Sequence, residues 1–331
     1  MIWTPLGIII SFIITFFIMP FIIKKMKMGG MVGRDINKIN KPEVAEMGGI
    51  GGYLGFSLGA TITVGILKLY GYENEVPILV AISVFSIAII VGLFDDIAIL
   101  TQGEKAIFII LASLPLMIST NGVPEINYIV ETYKFDDFIT RKIYWVILVP
   151  IGISGMANAL NMSAGYNGLE SGQFAIIAFF LIIINYIKGG GEATYIIFGC
   201  LFGSSVGLFI YNRFPAQTFV GDVGTLGFGA TLAAGIIMAN IEIFGIICII
   251  PAFYEFQATV KYKLKNIERR QACHNPIITD NGILIPPSGA ECFTLFYKIL
   301  SIRPMTEKNL VLTTLMMYFI CGIIAVVLCF V

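Results

Sequence analysis

Two adjacent carboxylates, Asp95 and Asp96, end a long apolar run of the chain. At the C-terminal end of a helix they would face the negative end of the helix dipole and repel each other. A solvated helix end would explain them only if a cation offset this charge. Lys105 lies nine residues beyond Asp96 and could supply that counter-charge or bind a phosphate. We therefore predict that these three residues take part in chemistry.

Three asparagines follow a later apolar run within ten residues: Asn158, Asn161 and Asn167. The first two are three residues apart and would share one face of a helix. Gly165 and Gly168, beside Asn167, permit a tight turn in which backbone and amide groups can approach a ligand closely. Helix capping would account for one asparagine but not for all three, so the segment is predicted to bind a ligand.

Asp222 lies between two glycines at the start of a further apolar run, in Phe219-Val-Gly221-Asp222-Val-Gly224. One interpretation of an aspartate in this position is an N-cap. The alternative is a metal ligand, because carboxylate and amide oxygens suit Mg²⁺ or Mn²⁺, which take phosphate oxygens as further ligands. The neighbouring glycines and a placement on the same membrane face as Asp95 and Asn161 favour the metal.

The elements that must position these residues are membrane-spanning helices. Hydrophobic residues make up 57% of the 331 residues and charged residues only 13%, which is about half the charged fraction of soluble domains. The sequence predicts an all-α, polytopic membrane helix bundle of about ten transmembrane helices, formed by one domain over residues 1–331. The runs that approach spanning length are 2–23, 48–69, 76–94, 106–120, 143–160, 172–188, 192–211, 222–241, 242–260 and 309–331.

Most of the 21 basic residues fall in connections on one side of this bundle, above all after the first run and in residues 261–308. The positive-inside rule therefore predicts a cell-membrane protein whose polar loops face the cytoplasm and whose termini both lie on the opposite side. The loop 261–308, between the ninth and tenth runs, is predicted to cap the cytoplasmic face with a short hairpin or amphipathic helix around 289–300. Glycine-rich runs indicate close helix pairing or a homodimer.

Several other kinds of site are disfavoured by composition. The single histidine, His274, excludes a metal site built from several histidines, and the six cysteines contain no CxxC pair. A formal net charge of zero argues against a general polyanion binder, including one for nucleic acid. Arg270 lies near His274 in the long loop, and guanidinium groups bind phosphate in bidentate geometry, although topology alone also explains a basic loop.

Taken together, acids, amides and bases occur at four connections on one predicted face. Phosphoryl transfer requires carboxylates, a divalent ion and lysine or arginine, because charge on the transferring group must be neutralised. A metal held at a membrane boundary indicates that one substrate is a lipid. An ion-coupled transporter is the alternative from another class, but transporters place such carboxylates near the bilayer midplane within broken helices.

Several segments resemble the polyprenyl-phosphate N-acetylhexosamine-1-phosphate transferase superfamily, glycosyltransferase family 4. These are Asp95-Asp96, Asn158-Ala-Leu-Asn161-Met-Ser-Ala-Gly165-Tyr-Asn167-Gly168-Leu-Glu170-Ser-Gly172-Gln173 and Phe219-Val-Gly221-Asp222. The branch that acts on UDP-N-acetylglucosamine and dolichyl phosphate looks most similar, on the segments Gly33-Arg-Asp35-Ile-Asn37-Lys38, Gly168-Leu-Glu170-Ser-Gly172-Gln173 and Thr306-Glu307-Lys308-Asn309-Leu310.

That resemblance implies transfer of N-acetylglucosamine-1-phosphate from UDP-N-acetylglucosamine to dolichyl or another polyprenyl phosphate, with release of UMP. This reaction is the first step of lipid-linked oligosaccharide assembly for N-glycosylation. The same chemistry with another UDP-N-acetylhexosamine is the alternative. One histidine in the whole chain argues against the peptidoglycan branch, which places several in its long loop.

The resemblance also implies roles for single residues. Asn161 and Asp222 would bind Mg²⁺, with Mn²⁺ as a substitute. The catalytic set would be Asp95, Asp96, Lys105 and His274, and the nucleotide-binding set would be Asn167, Gly165, Glu46, Asn37 and Arg270. The chain departs from the family pattern at Ala45, where a proline is usual, at Ile99, where an asparagine is frequent, and in the wide spacing of Arg270 and His274.

Overall fold

The computed structural model describes residues 3–98, 100–119, 124–128, 131–267, 276–292 and 294–331. Within these ranges the chain forms a helix bundle with eight helices long and apolar enough to cross a membrane. The helices are α1 Thr4–Met28, α2 Gly49–Lys68, α3 Val76–Ala98, α4 Gln102–Ile110, α5 Leu116–Ser119, α6 Phe138–Ile143, α7 Val149–Met162, α8 Leu169–Ile187, α9 Glu192–Asn212, α10 Gly221–Met238, α11 Glu242–Cys248, α12 Ile250–Leu264, α13 Leu295–Ile302 and α14 Glu307–Leu328.

One of the eight spans, Phe138–Met162, combines α6 and α7 through the π-helical turn Tyr144–Leu148. The pair α11 and α12 is bent by 72° and would count as a ninth span if both halves cross together. The protein is therefore a multi-pass membrane protein of the all-α class, as the sequence predicts.

The predicted run 106–120 does not form one long helix. Helix α4 begins with a capping box between Thr101 and Glu104 and ends at Ile110. A 3₁₀ turn, Leu111–Ser113, and the short α5 follow it. Pro115 lies at this break, and proline lacks the backbone N–H that a continuous helix requires. In the part of the chain that the structure describes, the count of membrane-length helices is thus eight or nine rather than about ten.

The packing of α1 on α2 depends on small residues. Helix α1 buries Ser11 and Thr15 while Phe17 is 73% exposed. Lipid is as apolar as a phenylalanine ring, so close van der Waals packing decides which face of a transmembrane helix turns inward. A Cβ added at Gly55 or Gly59 would lie 1.7 Å from Thr15 Oγ1 or 2.0 Å from Ser11 Oγ. These glycines pack α2 against α1 of the same chain, so they give the predicted homodimer no support.

Helix α10 is the most enclosed of the long helices and contacts α2, α3 and α7. A Cβ at Gly49 would lie 2.2 Å from Cα of Gly224, and one at Gly92 would lie 2.5 Å from the backbone carbonyl oxygen of Asp222. The missing side chains therefore allow the start of α10 to approach the start of α2 and the end of α3 at backbone distance. This approach brings the polar ends of the three helices together.

Short strands form the connections. They are β1 Val32–Arg34, β2 Glu43–Ala45, β3 Glu125–Asn127, β4 Thr132–Lys134, β5 Ile277–Ile278, β6 Ile283–Ile285 and β7 Met305–Thr306. Strands β1–β2 and β3–β4 are antiparallel pairs, and β5–β6–β7 form a three-stranded sheet in that order. The described part of loop 261–308 therefore holds both a hairpin and a helix, α13. Strand β7 leads directly into α14, so the sheet fixes where the last span begins.

Candidate active site

Lys105, in the first turns of α4, lies between the ends of two other helices. Its Nζ is 2.5 Å from Asp95 Oδ2 in the last turn of α3 and 2.5 Å from Asp222 Oδ2 in the first turn of α10. Burial opposes the charged form of Lys105, but the carboxylates of Asp222 and Asp95 outweigh this effect and raise its pKa. The ammonium group is therefore protonated at neutral pH and joins two acids that are distant in sequence.

Asp95, Asp96, Asp222 and Lys105 form a group that we call the acidic cluster. One oxygen of each carboxylate lies within 4.8 Å of an oxygen of the other two. Among the described residues, Lys105 is the one cation that forms an ion pair with them. Three carboxylates facing one ammonium group leave an excess of negative charge that a further cation would offset. Oxygen donors at this spacing fit a divalent ion such as Mg²⁺ or Mn²⁺.

Asp96 faces the N-terminus of α10. The backbone N–H groups of Asp222 and Val223 point at its two carboxylate oxygens, each at 3.4 Å. Asp222 is itself the second residue of α10, and the N-cap residue Val220 makes no side-chain cap. The N-cap interpretation of Asp222 is therefore wrong. The Asp96 carboxylate, which belongs to α3, lies at the positive end of the α10 dipole instead. The Asp222 side chain is therefore available to pair with Lys105.

Asn161 lies in the last turn of α7 and is 4% exposed. Its Nδ2 donates a hydrogen bond to Thr225 Oγ1 on α10, at 2.8 Å. An amide whose nitrogen is bound in this way presents its carbonyl oxygen as the free group, and that oxygen is a suitable ligand for a hard cation. Thr225 follows Asp222 by one turn of the same helix, so this hydrogen bond holds Asn161 close to Asp222. That the two residues share a metal stays a prediction.

The connection from α7 to α8 is a tight turn held by two side chains. The Gly165 N–H donates to Glu170 Oε1 at 2.9 Å, and Asn37 Nδ2 donates to the Gly165 carbonyl oxygen at 3.0 Å. Gly168 precedes α8 with φ of 88°, a left-handed conformation that glycine adopts without steric cost. The turn predicted from the glycines is present, and it brings Asn37 of the first loop against it.

Asn167 is bound from two further segments. Its backbone N–H donates to Glu307 Oε1 at 2.8 Å, at the start of α14, and its Nδ2 donates to Asp35 Oδ2 at 2.9 Å, after β1. Lys38 forms ion pairs with both acids, at 3.0 Å from Asp35 Oδ2 and in closer contact with Glu307 Oε2. We call Asp35, Lys38, Asn167 and Glu307 the loop cluster. It joins the first loop, the turn before α8 and the last span.

One cavity of about 320 Å³ connects the two clusters. At one end it is lined by charged and amide groups that suit phosphates and a metal: Lys105, Asn161 and Asp222. At the other end it is lined by the turn and the first loop: Asp35, Asn37, Gly165, Asn167 and Glu170. A cavity of this kind suits an elongated polar ligand whose charged groups lie at the acidic end.

Outside the acidic cluster, three of the predicted site residues are not among those that line the cavity as the structure describes it. Glu46 follows β2 and lies against Gly33 of β1, since a Cβ at Gly33 would be 2.4 Å from Glu46 Oε1. It is not part of the lining of the 320 Å³ cavity. Arg270 and His274 lie outside the described residues. The roles predicted for them therefore remain predictions.

Three residues of the loop cluster are not predicted as site residues from the sequence: Asp35, Lys38 and Glu307. All three occur in the segments that carry the family resemblance. A signal was available in Glu307, because an acid that directly precedes a spanning run is costly unless it finds a partner. Its partner could not be read from the chain, because Lys38 and Glu307 are 269 positions apart.

Comparison with known proteins identifies the family. Residues 78–240 match the sequence model described as "Glycosyl transferase family 4". A protein of Sulfolobus acidocaldarius, 32% identical over 267 residues that cover 79% of each chain, carries as an unproven assignment the name UDP-N-acetylglucosamine–dolichyl-phosphate N-acetylglucosaminephosphotransferase. A Methanocaldococcus jannaschii protein, assigned without proof as a glycosyltransferase, is 29% identical over 97% of this chain and 95% of its own.

A phospho-N-acetylmuramoyl-pentapeptide-transferase of Streptococcus pyogenes is 29% identical over 70% of this chain and 71% of its own. The matched residues 78–240 include the whole acidic cluster as well as Asn161 and Asn167. The chain belongs to glycosyl transferase family 4, the family of membrane transferases that act on polyprenyl phosphates and nucleotide-linked N-acetylhexosamine phosphates.

Proposed function

We propose that this protein transfers N-acetylglucosamine-1-phosphate from UDP-N-acetylglucosamine to dolichyl phosphate or a related polyprenyl phosphate, with release of UMP. The observation that supports this most is the cavity with an acidic cluster at one end and a fixed amide at the other. A sugar nucleotide matches this arrangement, because its pyrophosphate and its base lie at opposite ends of the ribose.

The acidic end would hold the reacting phosphates. Asp95, Asp96, Asp222 and Asn161 supply oxygen donors that would hold Mg²⁺, or Mn²⁺ in its place, and a bound divalent ion would offset negative charge on the donor's pyrophosphate. Lys105 already carries its proton, so its ammonium group can exchange a carboxylate partner for a phosphate oxygen without a change in protonation. Asp96, directed at the N-terminus of α10, keeps Asp222 in place.

The reaction forms one P–O bond and breaks another. An oxygen of the lipid phosphate attacks the β-phosphorus of the donor, and the bond from that phosphorus to the bridging oxygen breaks, so that UMP leaves with the electron pair. A phosphate monoester is largely ionised at neutral pH because its second pKa is about 6. A strong general base is therefore not required, and the carboxylates of α3 act on charge and position.

The nucleotide would lie toward the turn before α8. Asn167 and Asn37 would offer their amide oxygens to the base and ribose. Gly165, whose backbone groups are bonded to Glu170 and Asn37, would hold the turn beside the nucleotide. We assign the whole site to the cytoplasmic side, with both termini on the opposite side, because the basic residues concentrate in the loops that surround it. This side also gives access to a soluble sugar nucleotide.

The proposal is tested with purified protein, radiolabelled UDP-N-acetylglucosamine and dolichyl phosphate. Lipid-dependent release of UMP, matched by label that moves into the organic phase, is the expected result. If UMP is released only with another UDP-N-acetylhexosamine, the proposed reaction stands and that sugar nucleotide is the donor. No release with any of these donors, from protein that is folded and bound to detergent, would overturn the proposal.

A further inference from the structure

The loop cluster contains two buried acids and one partly buried lysine whose charges the proposed chemistry does not use. Asp35 and Glu307 are 4% and 3% exposed, and Lys38 lies between them. Burying two acids is costly, and an ion pair recovers that cost only when hydrogen bonds satisfy the remaining oxygens. Here those hydrogen bonds come from Asn167 and from the backbone of Asn37, whose N–H lies 3.3 Å from Asp35 Oδ1.

The contacts fix Asn167 in both position and orientation. Its backbone is held by Glu307 at 2.8 Å, and its side-chain nitrogen is held by Asp35 at 2.9 Å. An ionised carboxylate only accepts hydrogen bonds, and an amide oxygen only accepts them too. The Asn167 amide therefore cannot turn over, because its oxygen would then meet Asp35. Its Nδ2 faces Asp35, and its Oδ1 is the acceptor left for a ligand.

Lys38 and Glu307 act on this arrangement from outside the cavity, since neither lines it. Strand β7 ends directly before Glu307 and pairs with β6, with Thr306 opposite Ile283. The start of α14 is thus held by the sheet, and Lys38 links it to the first loop. Loss of this ion pair would leave the two acids that bind Asn167 without the lysine that joins them.

We infer that Lys38, Asp35 and Glu307 are positioning residues that orient Asn167 for the base of the nucleotide, and that they set both affinity for the donor and selectivity for uracil. This inference rests on the proposed function. Uracil carries an N–H at position 3 that donates to an amide oxygen, whereas cytosine has an unprotonated acceptor at that atom. A fixed Oδ1 therefore selects uracil, and an amide that can turn over accepts either base.

Two isosteric variants separate this role from a merely structural one. In Asp35→Asn the new side chain can donate or accept, so either orientation of Asn167 becomes possible. Glu307→Gln keeps an oxygen for the Asn167 N–H but loses the ion pair with Lys38. A matched control is Lys68→Gln, which removes the ion pair with Glu75 after α2, at 2.5 Å and away from both clusters.

The experiment measures binding of UMP and CMP to each purified variant by calorimetry, together with thermal unfolding. UMP affinity is expected to fall about tenfold in both loop-cluster variants, which corresponds to the loss of one to two hydrogen bonds. CMP affinity should change little in Glu307→Gln and rise relative to UMP in Asp35→Asn. Lys38→Arg, which keeps the positive charge, should bind UMP with an affinity close to that of the wild-type protein.

Other outcomes would overturn the inference. Variants that unfold at the wild-type temperature and keep the wild-type ratio of UMP to CMP affinity show that the cluster does not orient Asn167. If Asp35→Asn does not fold, Glu307→Gln decides the matter by the same ratio. A wild-type protein that neither binds UMP nor releases it would instead refute the proposed function, which is a distinguishable result.

Discussion

The acidic cluster and the loop cluster are built from the same residue types but differ in how completely their charges are matched. In the acidic cluster three carboxylates share one lysine, and their oxygens converge to within 4.8 Å. In the loop cluster two carboxylates share one lysine, and backbone and amide N–H groups take up further oxygens. The acidic cluster has two carboxylates more than it has ammonium groups and the loop cluster has one, so the acidic cluster leaves more charge for a ligand to neutralise.

We propose that this difference gives the two ends of the cavity different tasks. A site with excess negative charge gains from a divalent ion and from the phosphates that the ion brings. The loop cluster has the smaller excess, and its carboxylates fix the groups bonded to them, here Asn167. Changes in the acidic cluster should therefore act on turnover, and changes in the loop cluster should act on donor affinity.

The largest expected effect comes from removing divalent ions. Treatment of the purified protein with a chelator should abolish UMP release, and added Mg²⁺ or Mn²⁺ should restore it, because an uncompensated acidic cluster would repel the pyrophosphate. The measurement is UMP release against free metal concentration. Full turnover in the chelated protein would show that the cluster needs no ion.

Replacing Asp222 with Asn should lower kcat by about 10³-fold or more, because it removes the carboxylate that we propose as a metal ligand and that pairs with Lys105. The control is Asp137→Asn, which alters the N-cap of α6 in a region remote from both clusters. That control should turn over normally and unfold close to the wild-type temperature, because asparagine caps a helix about as well as aspartate. Equal activity of the two variants would contradict the assignment of Asp222.

Lys105→Met should lower kcat by about 10²-fold, since one charged donor to a transferring phosphate contributes on this scale. The variant also leaves Asp95 and Asp222 unpaired. Metal binding should then tighten, because the excess negative charge increases, and Mn²⁺ titration measures this directly. A Lys105→Met protein with weaker metal binding and normal kcat would reverse the proposed roles.

Gly92→Ala should disturb the acidic cluster without changing any of its side chains. The added Cβ would lie 2.5 Å from the Asp222 carbonyl oxygen, so α3 and α10 must move apart and the acidic cluster must open. We expect kcat to fall by about 10- to 100-fold, the size of effect that a misplacement of about 1 Å produces, with little change in UMP binding. Gly65→Ala in α2, where a Cβ meets no atom within 4 Å, is the matched control.

The smallest effect belongs to the loop cluster. Glu307→Gln should raise the KM for UDP-N-acetylglucosamine about tenfold and change kcat by less than about threefold, because Glu307 contacts Asn167 rather than the phosphates. Steady-state kinetics with saturating dolichyl phosphate measure both constants. A change confined to kcat would mean that the two clusters do not divide the work as their charges indicate.

The acidic cluster could be predicted from the sequence because each member marks the end of an apolar run. Asp95, Asp96, Lys105, Asn161 and Asp222 all lie within one turn or two of such an end, so topology alone places them on one face. The all-α class follows from composition for the same reason. Topology does not give the distances between these residues. The 2.5 Å contacts of Lys105 with Asp95 and Asp222 depend on the close approach of α3 and α10 that Gly92 allows.

The loop cluster could not be predicted in the same way. Its ion pair joins the first loop to the start of the last span, and neither residue alone has a pattern that indicates a partner. The span count was also less accurate than the class. Hydrophobicity marks residues 106–120 as a run, but only the backbone shows that the helix is broken near Pro115.

The most direct test of the proposed division between the two clusters is to measure kcat and the KM for UDP-N-acetylglucosamine in three proteins: wild type, Asp222→Asn and Glu307→Gln. We predict lipid- and Mg²⁺-dependent UMP release by the wild type, loss of kcat in Asp222→Asn, and a raised KM with nearly unchanged kcat in Glu307→Gln. Turnover of Asp222→Asn at the wild-type rate, or loss of kcat at unchanged KM in Glu307→Gln, would contradict it.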